Sequence, residues 1–260
     1  GCTNLTTAKI DGKFEKLTSL NSLFKDKTKL TTAVIKGEFP LITNLAYLFQ
    51  SCSSLTSAIF EGTLSEDVAS ISMESMFSGC SAITSATIYD AGEESDAAVQ
   101  LSGDFSKVTT LKNLFQNCSS LRDVDIKTDF ENVTNISNLF NGCTNLATAK
   151  IDGNFAVLPS TSLKSLFKDK SKLTTAEIKG IFPLITTLEF LFQNCSSLAS
   201  ATIEADFPEV TTTQEMFRNC DAITSALFNV DGTADVVIKG DFSKLTNMNG
   251  TMRDCDKLNT

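Results

Sequence analysis

A short phrase recurs along this chain and constrains almost everything else. It runs [Leu/Met]-Phe, two residues, Cys or Lys, two more, Leu or Ile, and then an Ala-x-Ile strand. The copies open at Phe24, Phe49, Phe77, Phe115, Phe140, Phe167, Phe192 and Phe217. The common step is 25 residues, with steps of 27, 28 and 38 where extra residues intrude. A period of this size marks a stacked-repeat architecture, in which each unit buries its apolar face only against its neighbours. Such a fold has no single enclosed core, so the search for function moves from a pocket to a surface.

One unit, Leu30 to Cys52, shows the expected division of labour. Leu30 to Ile35 alternates as a half-buried strand does, with Ala33 and Ile35 inward and Thr32 and Val34 outward. Lys36-Gly37 turns the chain, and Phe39 and Ile42 return to the interior. Leu45, Leu48 and Phe49 then follow at spacings of three and four, which predicts one face of a short helix capped by Thr43. Thr18, Thr109, Thr134, Thr186, Thr211 and Thr246 hold the same cap position in other units. Phe140→Ala should cost about 3–5 kcal/mol, the usual figure for a core aromatic. A change at solvent-facing Thr148 should cost less than roughly 0.5 kcal/mol.

A second symmetry lies above the first. Cys2 to Phe14 returns as Cys143 to Phe155, and Phe24-Lys-Asp-Lys-Thr-Lys-Leu30 returns as Phe167-Lys-Asp-Lys-Ser-Lys-Leu173. Tyr89–Ser102 lengthens one unit and Asn229–Lys239 its counterpart. Both are expected to stand out as hairpins. Two tandem blocks, 1–142 and 143–260, therefore make up what reads as one repeat domain over 1–260. Gly1-Cys2 begins inside a unit, so the sequence reads as an excerpt of a longer protein, and it carries no signal peptide.

The motif resembles the BspA-like, Treponema pallidum-type leucine-rich repeats of surface proteins. The likeness is carried by Met76-Phe77-Ser-Gly-Cys80-Ser-Ala-Ile83 and Leu114-Phe115-Gln-Asn-Cys118-Ser-Ser-Leu121, and it spans the chain. Lys27 and Lys170 depart from it at the Cys position, and Arg253 is read as replacing the Phe. The expected fold is α/β: a right-handed leucine-rich-repeat solenoid of roughly ten units. A parallel sheet should line one face and short α or 3₁₀ helices the other. The resemblance implies a surface-displayed or secreted array for adhesion or ligand binding, and it names no ligand.

Composition narrows the partners. The net charge of -9 disfavours nucleic acid, whose binding rests on Lys and Arg meeting phosphates. No apolar run reaches the roughly 18–20 residues of a bilayer span. There is no histidine, so Ser-His-Asp and Cys-His machinery is missing, as are the phosphate-loop and dinucleotide motifs. No enzyme activity, cofactor or metal is expected, and the chain reads as a monomer. The eight cysteines follow the repeat rather than a staple pattern and read as buried thiols. Lys27 and Lys170 read as snorkelling side chains led towards Asp26 and Asp169. The acidic stretch Asp90–Asp96 and the group Asp123, Asp125, Asp129, Glu131 contain calcium-type ligands, but a solvated surface is the plainer reading. Six Asn-x-Ser/Thr sequons carry no weight in so Asn- and Thr-rich a chain.

What remains is the outward strand face. One column is nearly all Thr or Ser. The other varies: Lys9, Val34, Ile59, Thr87, Asp125, Lys150, Glu177, Thr202 and Leu227, with Asp123 projecting beside Asp125. Variation on a constant frame is how repeat proteins build contact surfaces. A host or extracellular-matrix protein is the expected partner of these residues. Val34 beside Ile59 is the one pair of apolar neighbours expected to face out.

Overall fold

The computed structural model describes residues 2–64, 67–90, 92 and 95–258. The chain forms two compact units, Gly1–Cys143 and Thr144–Thr260.

Unit 1 contains β1 (Thr7–Lys13), β2 (Thr32–Phe39), β3 (Ser57–Leu64), β4 (Ile71–Ser72), β5 (Ser85–Tyr89), β6 (Val99–Ser102), β7 (Val108–Thr110) and β8 (Asp123–Lys127). Its main sheet runs β1-β2-β3-β6-β5-β8, all neighbours parallel. The short β4 and β7 pair separately. Unit 2 contains β9 (Thr148–Asp152), β10 (Thr175–Ile181), β11 (Ser200–Asp206), β12 (Ala226–Phe228) and β13 (Val236–Lys239), in the order β9-β10-β11-β13-β12, again parallel. Register follows the repeat: Ala8 meets Ala33 and Ile10 meets Ile35. In β2 the inward Ala33 and Ile35 are buried while Thr32 and Val34 stay half-exposed.

The expected helices are absent: among the described residues the other face is made of turns. The Phe24 row shows why. The amides of Leu20, Ser22, Phe24 and Asp26 donate to the carbonyls of Asn44, Ala46, Leu48 and Gln50 in the next row. The amides of Leu23, Lys25 and Lys27 instead close four-residue turns onto Leu20, Ser22 and Phe24. A helix would need every amide for its own carbonyl four residues back. Ser22 and Asp26 adopt left-handed backbone angles, φ 57° and 59°, at the third position of their turns, as type II turns require. Pairs four apart repeat this: Ser51 after Tyr47, Asn117 after Asn113, Asn194 after Phe190. Ser, Asn, Asp and Gly fill most of these slots because a short polar side chain, or none, tolerates the conformation.

The proposed helix caps are corrected with the helices. The hydroxyl of Thr43 donates to the Thr18 carbonyl at 3.2 Å, Thr134 to Thr109 and Thr211 to Thr186. These threonines tie one row to the preceding one instead of satisfying helix amides.

The interior is a file of rings. In unit 1, Phe24, Phe49, Phe77, Phe115 and Phe140 stack at centroid spacings of 5.6, 5.4, 5.8 and 6.3 Å. In unit 2, Phe167, Phe192 and Phe217 stack at 5.4 and 5.2 Å. A second file follows the strands, as in Phe155–Phe182–Phe207 at 5.2 Å each. The last row places Met252, not Arg253, in the ring position. The Phe217 amide donates to Thr251 just as Phe192 donates to Met216, and Cys255 follows Met252 by three residues as Cys220 follows Phe217.

Candidate functional site

The inserts did not become hairpins. The chain leaves β5, crosses back, and lays β6 between β3 and β5, parallel to both. Val99 takes the inward Ala position and Leu101 the inward Ile position. In unit 2, β13 enters between β11 and β12 in the same way. The main sheet of each unit thus has one more strand than the unit has turn rows among the described residues, so roughly ten equal repeats is also not what is seen.

A seven-residue return, Asn229–Asp235, lies over the outward face of unit 2. Gly232 sits so close to Leu227 that a Cβ there would lie 2.8 Å from Leu227 Cδ1, and its φ of 151° suits glycine. The return is latched at both ends. The Asp235 carboxylate accepts from the Thr224 amide and hydroxyl, both at 2.7 Å, while the Asp235 amide donates to Ser225 Oγ. Asn229 holds Gly240 both ways, its Nδ2 donating to the carbonyl and its Oδ1 accepting from the amide. The Thr224 bonds hold Asp235 below the usual carboxylate range. In unit 1 the described residues of the corresponding return give the same picture. The Ala98 amide donates to Ser85 Oγ, Thr128 donates to Asp90, and outward-facing Tyr89 and Ser102 are only 3% and 7% exposed. Ala91, Glu93 and Glu94 of the acidic stretch Asp90–Asp96 lie outside the described residues. We call these returns straps.

The varied column is a single row in each unit. Unit 1 aligns Lys9, Val34, Ile59, Gln100, Thr87 and Asp125. Unit 2 aligns Lys150, Glu177, Thr202, Val237 and Leu227. Asp123 falls in the neighbouring Thr/Ser row, with Ser85. Gln100 and Val237 escaped the sequence reading because their strands lie inside the inserts. Val34 and Ile59 do stand side by side, and Val237 beside Leu227 is a second apolar pair.

The charges of this face largely neutralise one another, both across strands and along them. Lys36 meets Glu61 at 2.7 Å and Lys13 meets Glu38 at 2.6 Å. Lys179 lies 2.5 Å from Glu177 and 3.8 Å from Glu204, and Asp125 lies 3.1 Å from Lys127. The hydrogen bond to Glu177 raises Lys179 above its ordinary value, and Lys239 is raised in the same way by Asp231.

The cysteines explain the other face. Seven are buried and free; Cys2 is exposed. Each buried thiol donates to the Phe carbonyl of the preceding row, as in Cys52 to Phe24 at 3.0 Å and Cys220 to Phe192 at 3.2 Å. Burial pushes the Cys52 thiol up to about 11 and Cys195 to about 12, so these are inert protonated donors rather than nucleophiles. The ammonium of Lys27, in the Cys position, reaches the Lys25 carbonyl at 3.3 Å, not Asp26. Tyr47 and Phe190 stand at left-handed positions (φ 58°), where a bulky side chain costs energy. Both carry lysines over their rings, Lys25 at 5.6 Å and Lys164 at 5.4 Å. Among the described residues no group of three or more His, Cys, Asp or Glu is placed to hold a metal ion. No helix among them is long and apolar enough to cross a membrane.

No curated protein matches the chain. A leucine-rich repeat protein from Bacteroides ovatus, known from its crystal structure, aligns over 96% of this chain and 73% of its own. Identity is 14% and the TM-score 0.27, too loose a likeness to bear on function. A family model matches residues 4–91, 109–230 and 186–260, most of the sequence. The chain therefore belongs to the family described as Mycoplasma protein of unknown function, DUF285.

Proposed function

We propose that the chain is a non-enzymatic recognition module, displayed on a cell surface or secreted, that binds a host or extracellular-matrix protein through its strand face. The observation that carries this reading is the outward row, whose residues vary in charge and size over an interior that stays apolar throughout. Parallel strands hold these side chains about 4.8 Å apart from strand to strand, a regular grid that one extended partner can span. The BspA-like resemblance of the motif supports the surface setting. Lys9, Val34, Ile59, Thr87, Asp123, Asp125, Lys150, Glu177, Thr202 and Leu227 are the proposed contacts; Leu227 would become available only where the strap leaves it. The module acts as a monomer and needs no cofactor.

The test is binding to immobilised extracellular-matrix proteins by the chain and by Asp123→Lys/Asp125→Lys and Lys150→Glu variants. Saturable binding that these changes weaken supports the reading; unchanged affinity removes the strand face from it. A second reading, a spacer holding other domains away from the envelope, is favoured by the internal duplication, since length matters more than detail in a spacer. It expects no saturable binding at all.

A further inference from the structure

Two neighbouring strands occur twice with nearly the same outward chemistry. In unit 1, β2 reads Val34-Ile35-Lys36-Gly37, and β3 beside it reads Ala58-Ile59-Phe60. In unit 2, β13 and the residue after it read Val237-Ile238-Lys239-Gly240, and β12 beside it reads Ala226-Leu227-Phe228. Val34 pairs with Ile59, and Val237 with Leu227. Each pair of strands therefore makes one seat: two adjacent apolar side chains, with an ammonium two residues further along the first strand.

In unit 2 the seat is filled by the chain itself. Gly232 rests on Leu227, and Asp231 brings its carboxylate to 2.8 Å from Lys239 Nζ. Glycine lets the backbone come down onto Leu227, one of the apolar pair, and the aspartate before it reaches the charge. In unit 1 no strap joins the two strands of the seat, because that unit's crossover runs from β5 to β6.

We infer that Val34, Ile59 and Lys36 form an open docking seat for a bent Asp-Gly segment of a partner protein, bound as Asp231-Gly232 is bound in unit 2. This deepens the strand-face reading and rests on it. A second copy of the chain is the less suited occupant. Its Asp-Gly steps are Asp11-Gly12 in β1, Asp152-Gly153 at the end of β9, and Asp231-Gly232, already seated. One difference separates the seats. Glu61 stands beside Lys36, whereas the corresponding Asn229 turns its side chain to Gly240. The Lys36 and Glu61 side chains are 41% and 39% exposed. So open a pair holds weakly, and an ammonium has three donors to share.

The experiment titrates a capped peptide, Asn-Val-Asp-Gly-Thr-Ala-Asp, into the whole ¹⁵N-labelled chain and follows backbone amides by NMR. Saturable shifts should appear at Val34, Lys36 and Ile59 and not at Lys150 or Glu177. Glu61→Asn should tighten binding by about threefold, the size of one exposed charge contact. Ile59→Glu should abolish the shifts while leaving the Phe115 and Phe140 amides of unit 1, and those of unit 2, where they were, which shows that the variant is folded. Peptides with Gly replaced by Val, or Asp by Asn, should lose most of their affinity. No saturable shifts, shifts centred elsewhere, or equal binding by the Val peptide would overturn the seat. So would concentration-dependent shifts at Val34 and Ile59 without peptide, which would hand the seat to a second copy. Binding to a matrix protein that survives Ile59→Glu but not Lys150→Glu sinks the seat alone; binding that survives both sinks the strand-face reading with it.

Discussion

Unit 1 and unit 2 stack the same interior and show different faces. Phe49, Phe77 and Phe115 in one, and Phe167, Phe192 and Phe217 in the other, stand at ring spacings between 5.2 and 5.8 Å. Yet β2 and β3 carry Val34 and Ile59 in the outward row of unit 1, where their counterparts in unit 2, β10 and β11, carry Glu177 and Thr202. Both sets are tolerated because the outward side chains contribute little to holding the rows. Rings, inward Ala and Ile, and row-to-row amide bonds do that. The difference teaches that stability and recognition are separately adjustable here, and substitutions can test the separation.

The largest expected effect falls on both interiors together. Burial raises Cys52, Cys80, Cys118, Cys195, Cys220 and Cys255 above the thiol's ordinary value. An unfolded chain ionises these groups near pH 9 while the native one keeps its protons, so stability is full below pH 8 and falls as pH rises. For Cys195 alone the loss runs from pH 9 to about 12, at about 1.4 kcal/mol per pH unit. Guanidinium unfolding at pH 8 and pH 10 should show the drop in both units; a flat profile contradicts the sealed thiol row.

Next come the rings. Phe115→Ala and Phe192→Ala should each cost about 3–5 kcal/mol in urea unfolding. A cost near zero in either unit would break the equivalence of the interiors. Smaller, and specific to one face, is Asp235→Ala. It strips the Thr224 amide of its acceptor, costs about 0.5–1.5 kcal/mol, and should raise hydrogen exchange at Gly232 and Thr233. If exchange there is unchanged, Asp235 is not the latch. The smallest effect belongs to the outward pairs: Lys36→Gln and Lys179→Gln should each change stability by less than about 1 kcal/mol, and less still in high salt. A larger loss in either would mean that the outward face does hold its rows.

The rows, their register and the file of rings were legible because each ring position repeats with a fixed phase to its strand. The helix expectation failed at Leu45, Leu48 and Phe49, whose spacing of three and four fits a helix and a chain of tight turns equally well. The residues between decided it. Ser51, Asn113, Asn117 and Asn194 suit the left-handed conformation, and a slot that recurrently favours Ser, Asn, Asp and Gly is a turn signal. The inserted strands also left a trace. Leu101-Ser-Gly103-Asp-Phe105 repeats Ile10-Asp-Gly12-Lys-Phe14, whereas nothing after Ile88 does. That pattern marks β6 as the strand feeding the next row, and β5 as the extra one. The straps were not legible, because Gly232 over Leu227 is a contact across the sheet that no periodicity encodes.

The stacked-turn frame is tested most directly by scalar couplings across hydrogen bonds in a ²H,¹³C,¹⁵N-labelled sample. The account expects a coupling from the Phe115 amide to the Leu139 carbonyl in unit 1, and from the Phe192 amide to the Met216 carbonyl in unit 2. Couplings from those amides to Leu111 and Leu188 instead, four residues back, would restore the helices and contradict the frame on which both faces are built.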